Sequence, residues 1–185
     1  MPFLTTDYSN TNNSYGPLPE GDYEFVIEDV QEQATKGGSE SLHFDLIVRN
    51  DLDQALPETN GKYHNQHLWV DEWKRRETQQ YDNNNLMYFL KAAGIPEGTP
   101  INTMEDFFAI MQGKPVRMHI KVTDNTYNGT TTKVNRPAPW DWQPSKFPQV
   151  AHQWKKGMAP ANQSTPSGGA MPFAGQPKPV ENVPF

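Results

Sequence analysis

Asp22-Tyr23-Glu24-Phe25-Val26-Ile27-Glu28-Asp29-Val30, the turn Lys36-Gly37-Gly38-Ser39, and Leu42-His43-Phe44-Asp45-Leu46-Ile47-Val48-Arg49 together decide the fold. Tyr23, Phe25 and Ile27 alternate with Asp22, Glu24 and Glu28, the period of a strand with one apolar face. The acids then read as one solvated face rather than a metal cluster. Leu42, Phe44, Leu46 and Val48 repeat the pattern, with His43, Asp45 and Arg49 largely on the other side. The glycine pair tolerates positive φ, so the two runs predict a long β-hairpin.

Working outward, residues 50–60 are a polar loop ending at Asn60-Gly61. A third strand is expected from Lys62 to about Trp73, with Leu68 and Val70 facing in and Tyr63, His67, Trp69 and Trp73 facing out. Asn84–Ala93 has helical spacing and stops at Gly94, just before Pro96. Thr103 reads as the N-cap of a second short helix, with Glu105 and Asp106 in its first turn and Gly113 at its end. Met104, Phe107, Phe108 and Met111 on that helix read as core. Lys114–Asp124 is expected as a fourth strand, Val116, Met118, Ile120 and Val122 inward, Arg117, His119 and Lys121 outward. Tyr127-Asn128-Gly129 turns the chain into a fifth strand, Thr130–Arg136, with Thr132 and Val134 inward, ended by Pro137 and Pro139. This order predicts a mainly β domain: a five-stranded OB-type Greek-key barrel with one or two short helices between strands three and four. A plain antiparallel α+β sandwich fits the same order.

The chain has 185 residues and no cysteine, enough for one domain with tails and without disulfides or thiolate metal sites. Residues 1–19 read as an N-terminal arm and 20–140 as the folded domain. Residues 141–179 read as a Pro/Gly/Ser/Gln-rich disordered linker and 180–185 as a partner-binding tip. The tip ends Val183-Pro184-Phe185, an aromatic anchor on a tether. With no long apolar run and no basic-then-apolar N-terminus, the expected location is cytoplasmic. The formal charge is −6, unevenly spread: residues 1–58 hold twelve acids and two bases, whereas 114–136 hold five bases and one acid. A local positive face is therefore compatible with an acidic chain.

Enzyme signatures are missing: there is no phosphate loop, no nucleophile elbow and no His-Glu-x-x-His. His64 and His67, three apart on an expected strand, point to opposite faces, so no metal and no cofactor is expected. The stronger constellation mixes rings with bases. Tyr63, Trp69, Trp73, Lys74, Arg75 and Arg76 come from strand three and its exit, Arg117 and Lys121 from strand four, and Tyr127, Lys133, Arg136 and Trp140 from the last hairpin. Unpaired bases stack on rings while Lys and Arg neutralise phosphates, so these residues are the expected binding groove for single-stranded nucleic acid. Each has a plainer reading: a Trp in the core, a charge run in a solvated loop, a basic wet face of an antiparallel strand.

Gly21-Asp22-Tyr23 opening strand one, the Thr35-Lys36-Gly37-Gly38 turn, Leu42-x-Phe44-x-Leu46, the paired helices and the final Val183-Pro184-Phe185 resemble the single-stranded DNA-binding proteins encoded by bacteriophages. The acidic run that precedes Pro-Phe in the bacterial relatives is here reduced to Glu181, with Lys178 nearby. The resemblance implies an OB fold, binding of single-stranded DNA without base preference, no catalysis, and a tip that recruits replication, recombination or repair proteins in the host cytoplasm. RNA stays open as a ligand, and a homo-oligomer is compatible with the pattern. A protein-interaction adaptor and a metal-dependent nuclease accessory protein are the alternatives.

Overall fold

The computed structural model describes residues 16–155 and 159. β1 (Gly21–Ala34) and β2 (Glu40–Val48) form the expected antiparallel hairpin. Its turn is closed by the Thr35 N–H on Ser39 O at 2.8 Å, with Gly38 at φ +80°. A single helical turn, α1 (Asn60–Tyr63), precedes β3 (His67–Trp73), so the third strand starts later than expected. Two helices follow, α2 (Asn83–Ala92) and α3 (Met104–Met111). Thr103 caps α3 as predicted, in a box completed by Asp106. β4 (Pro115–Ile120), the hairpin β5 (Thr123–Tyr127) and β6 (Thr130–Val134), a 3-10 turn (Pro139–Asp141) and β7 (Trp142–Pro144) complete the order.

The protein is mainly β, built on a five-stranded antiparallel sheet ordered β3-β2-β1-β4-β7. Among the described residues β5 and β6 pair only with each other. The fifth strand of the sheet is therefore Trp142–Pro144 and not Thr130–Arg136. Burial explains the exchange. Thr130–Val134 carries one apolar side chain and its threonines are exposed, whereas Trp142 puts its ring into the core, 5.0 Å from Phe44 and 4.7 Å from Phe89. Val122, expected inside, lies exposed beyond the end of β4.

Tyr23, Phe25, Ile27, Leu42, Phe44, Leu46, Val48, Leu68, Val70, Val116, Met118 and Ile120 form the inner face, closed by Phe89 and Phe107 of the helices. A β-bulge sits between Ile27 and Asp29, so Glu28 is an extra residue opposite Asp45 and Val30 returns to the core.

Residues 142–155, expected within the linker, are instead folded: Trp142–Pro144 is a strand of the sheet and the chain then folds back over its outer face. Ser145 Oγ and the Lys146 N–H donate to the Glu24 carboxylate at 2.6 and 3.0 Å. Arg49, 0% exposed, donates to Phe147 O at 2.6 Å and Gln149 O at 2.7 Å, and grips Asp51 through Nε and Nη2 at 3.0 and 2.5 Å. The Asn50 N–H donates to His152 Nδ1 and the Ala151 N–H to Asp51. Residues 145–155 are thus a strap, and Glu24, expected on a solvated face, is buried beneath it. Residues 1–15, most of 156–179 and the tip 180–185 lie outside the described residues. Among the described residues no helix is long and apolar enough to cross a membrane.

Candidate nucleic-acid interface

β3 is an edge strand, so one of its backbone edges and its outer face meet solvent. Alternation sends Leu68 and Val70 inward and leaves Trp69 and Trp73 59% and 47% exposed. Trp69 lies opposite Asp45 and Trp73 opposite Ser41. The His67 ring stacks on Trp69 at 5.7 Å and 20°. Acids border this pair, and histidines answer them. His43 meets Asp71 at 2.8 Å, and His67 meets Asp45 at 2.7 Å. The hydrogen bond with Asp45 favours the imidazolium and raises the His67 pKa against the opposing effect of burial. Burial, then the neighbouring Asp45 charge, raises the Glu28 pKa.

The bases that follow β3 are largely committed. Lys74 pairs with Glu40 and Glu32 and lies over the Tyr81 ring. Arg75 pairs with Asp82. Arg76 is exposed and makes no ion pair among the described residues. Tyr63, expected in the groove, instead sits half-buried on α1 with its ring 6.1 Å from Tyr23. The short helical turn rotates it inward.

The second set stands on and beside the β5–β6 hairpin. Tyr127 is 73% exposed at the turn, where Asn128 and Gly129 take φ +49° and +77°. Lys133 pairs with Asp124 at 2.5 Å and Arg136 donates to Asn125 at 3.0 Å. Asn135 pins the base of the hairpin, accepting from the Leu18 N–H and donating to Leu18 O and Lys121 O. Lys121 is exposed at that base, and Arg117, on β4 opposite Glu24 and Gln143, is half-buried. Arg117 shares the outer sheet face with Trp69, but two strands lie between them and the strap packs on Glu24 and Arg49 in that interval. Trp140 does not join the hairpin; it faces α2 beside Met87, Tyr88 and Lys91.

The predicted groove is thus two neighbourhoods: an aromatic edge on β3 and a basic, aromatic-tipped hairpin. A family model described as protein of unknown function (DUF669) matches residues 4–160. The chain belongs to that family. The DUF669 match spans the whole sheet, the hairpin and the strap. Comparison with curated proteins gives no match.

Sequence reasoning missed the strap and the buried Arg49–Asp51 pair that holds it. A signal was present: Trp142, Phe147, Val150 and Trp154 fall within fifteen residues, richer in large apolar side chains than a linker.

Proposed function

We propose that this protein binds single-stranded DNA without base preference and coats exposed strands during phage DNA replication, recombination or repair. The observation that carries the reading is the pair of exposed indoles, Trp69 and Trp73, on the outer face of an edge strand. Large flat rings in solvent serve little purpose in stability, and unpaired bases stack on such rings. The topology supports it. The order β3-β2-β1-β4-β7, with helices between the third and fourth strands of the sheet, is compatible with an OB-type Greek-key barrel opened at one seam. In such barrels the second and third strands and the loops after the first and fourth form the binding face. In this reading those positions are taken by Trp69, Trp73, the Thr35–Ser39 turn and the β5–β6 hairpin. Lys121, Lys133, Arg136 and Tyr127 would then follow the phosphates and one further base. In this reading the tip Val183-Pro184-Phe185 recruits partner proteins.

Titration with oligo-dT, duplex DNA and poly-U tests this. Tryptophan emission should change with oligo-dT, and affinity should fall steeply with salt as counterions are released. Trp69→Ala and Trp73→Ala should each weaken binding by about 1–3 kcal/mol. Reversing charge at Arg117 and Lys121 together should weaken binding to every sequence alike. Unchanged emission at low salt, with no retardation in a gel, removes the reading.

An interaction module is a second reading. It is favoured by exposed Met87, Tyr88 and Trp140, which line one shallow groove of about 470 Å³ with Lys91. Capture of a partner protein by nuclease-treated chain, lost in Trp140→Ala and kept in Trp69→Ala, would single it out.

A further inference from the structure

Beside Trp69, three side chains from three adjacent strands converge: Glu28 of β1, Asp45 of β2 and His67 of β3. One ligand atom from each lies within 4.8 Å of the others. The bulge makes this meeting possible, because it places Glu28 as the extra residue opposite Asp45. His67 Nδ1 faces both carboxylates, 2.7 Å from Asp45 and 3.6 Å from Glu28.

A proton on Nδ1 serves only part of this arrangement. It lies along one line, and at 2.7 Å that line runs to Asp45; 3.6 Å to Glu28 is beyond hydrogen-bond reach. The Glu28 side chain is only 11% exposed. A largely shielded carboxylate facing a second carboxylate is a costly arrangement. Lys155 of the strap acts on Glu28 through its charge alone. Next to these groups is a cavity of about 20 Å³, lined by Glu28, His67, His152 and Lys155, enough for one water.

We propose that Glu28, Asp45 and His67 form a divalent-cation site that takes Zn²⁺ or Mn²⁺. One cation satisfies both carboxylates and the imidazole nitrogen at once, which one proton does not. A metal with bonds of about 2.1 Å holds its donors about 3.3 Å apart, between the 2.7 and 3.6 Å separations present. Rotation of the Asp45 carboxylate is the adjustment required. A mixed oxygen and imidazole set suits Zn²⁺ or Mn²⁺ better than Mg²⁺ or Ca²⁺, which prefer oxygen alone. The cavity holds the water that completes the shell. His152 is not a ligand, because its Nδ1 accepts the Asn50 N–H and its proton therefore resides on Nε2. The site stands on its own residues and does not depend on the binding of nucleic acid.

Calorimetric titration of the EDTA-treated full chain with ZnCl₂ and MnCl₂ should show one ion per chain. Glu28→Gln and Asp45→Asn, which keep shape and lose charge, should each weaken binding at least about 10-fold. Trp69 emission should change on metal addition, and the change should vanish in Trp69→Phe. Thermal unfolding in EDTA reports whether each variant folds. No heat with either metal up to about 1 mM overturns the site. So does equal binding by Glu28→Gln, or binding that instead follows His64→Gln at the separate His64–Asp53 pair.

Discussion

Replacing Arg49 by Met keeps an apolar stem of similar length and removes the guanidinium. Arg49 is 0% exposed and the Asp51 side chain 9%, so the loss falls in a dry place. Two bonds to Asp51 and one each to Phe147 O and Gln149 O disappear. Asp51 keeps the Ala151 N–H, while both carbonyls lose their donors. Breaking a buried pair from one side costs about 3–5 kcal/mol. Against a domain stability of about 5–15 kcal/mol, that is a large fraction. At about 2–4 °C per kcal/mol it lowers the melting midpoint by about 6–20 °C. Arg49→Lys restores the charge but not the planar fork, and should recover less than half of the loss. Urea melts followed by tryptophan emission measure the stability, and limited proteolysis reports cleavage within 145–155. A loss below about 1 kcal/mol with an uncleaved strap would refute the reasoning, since that is the cost of an ordinary surface change.

Asn60 is fully buried, its side chain accepting from the Glu24 N–H and donating to Glu24 O and Arg49 O. Asn60→Ala should destabilise by about 2–4 kcal/mol, read from the same melts, because a buried N–H is left without a partner. Gly61→Ala places a Cβ 2.9 Å from Asp53 O and should cost about 1–3 kcal/mol as the loop shifts. The strap should also loosen in acid. Burial lowers the His152 pKa; burial opposes ionisation of Asp51 too, but the bonds from Arg49 and Ala151 outweigh it and hold that carboxyl below its usual range. Both groups bind protons more readily when unfolded, so each adds stability at high pH. His152's contribution fades below about pH 6.5, and Asp51's is lost only as pH falls below its ordinary value of 3.8 and through its depressed one. Proteolysis of the strap at about pH 4 and pH 7 checks the direction.

What sequence reading could reach was set by local period and local turn chemistry. The β1–β2 hairpin, the capped α3 and the inward Leu68 and Val70 depend on residues within a few positions of one another, and they were legible. The fifth strand was not. Thr130–Val134 has strand propensity and an Asn-Gly turn, but pairing in the main sheet went to Trp142–Pro144, whose ring fills a space made by Phe44 and Phe89. That choice depends on volume across the core, which no local window contains. Trp69 and Trp73 were placed correctly on the outer face by alternation. The ion pairs of Lys74 and Arg75 were not legible, because Glu32, Glu40 and Asp82 reach them from other elements. Glu24 and Arg49 were assigned to a wet face because nothing near them in sequence announces the strap that covers them.

The use of buried ions to hold that strap has a consequence for the aromatic edge. An apolar strap could slide along an apolar face at little cost, whereas the fork of Arg49 donates to Asp51, Phe147 O and Gln149 O in only one register. That register sets His152 against the Asn50 N–H and brings Trp154 and Lys155 to Glu28 and His67. Stability alone does not require charges here: replacing both partners of a buried pair with apolar groups is often neutral or stabilising. Arg49→Met with Asp51→Leu should therefore recover most of the melting midpoint lost in Arg49→Met. It should not recover the placement of Trp154, whose ring stands 4.7 Å from His152. Near-ultraviolet circular dichroism, compared with a Trp154→Phe control, measures that placement. A double variant with restored stability and an unchanged Trp154 signal would show that the ions hold the strap without setting its register.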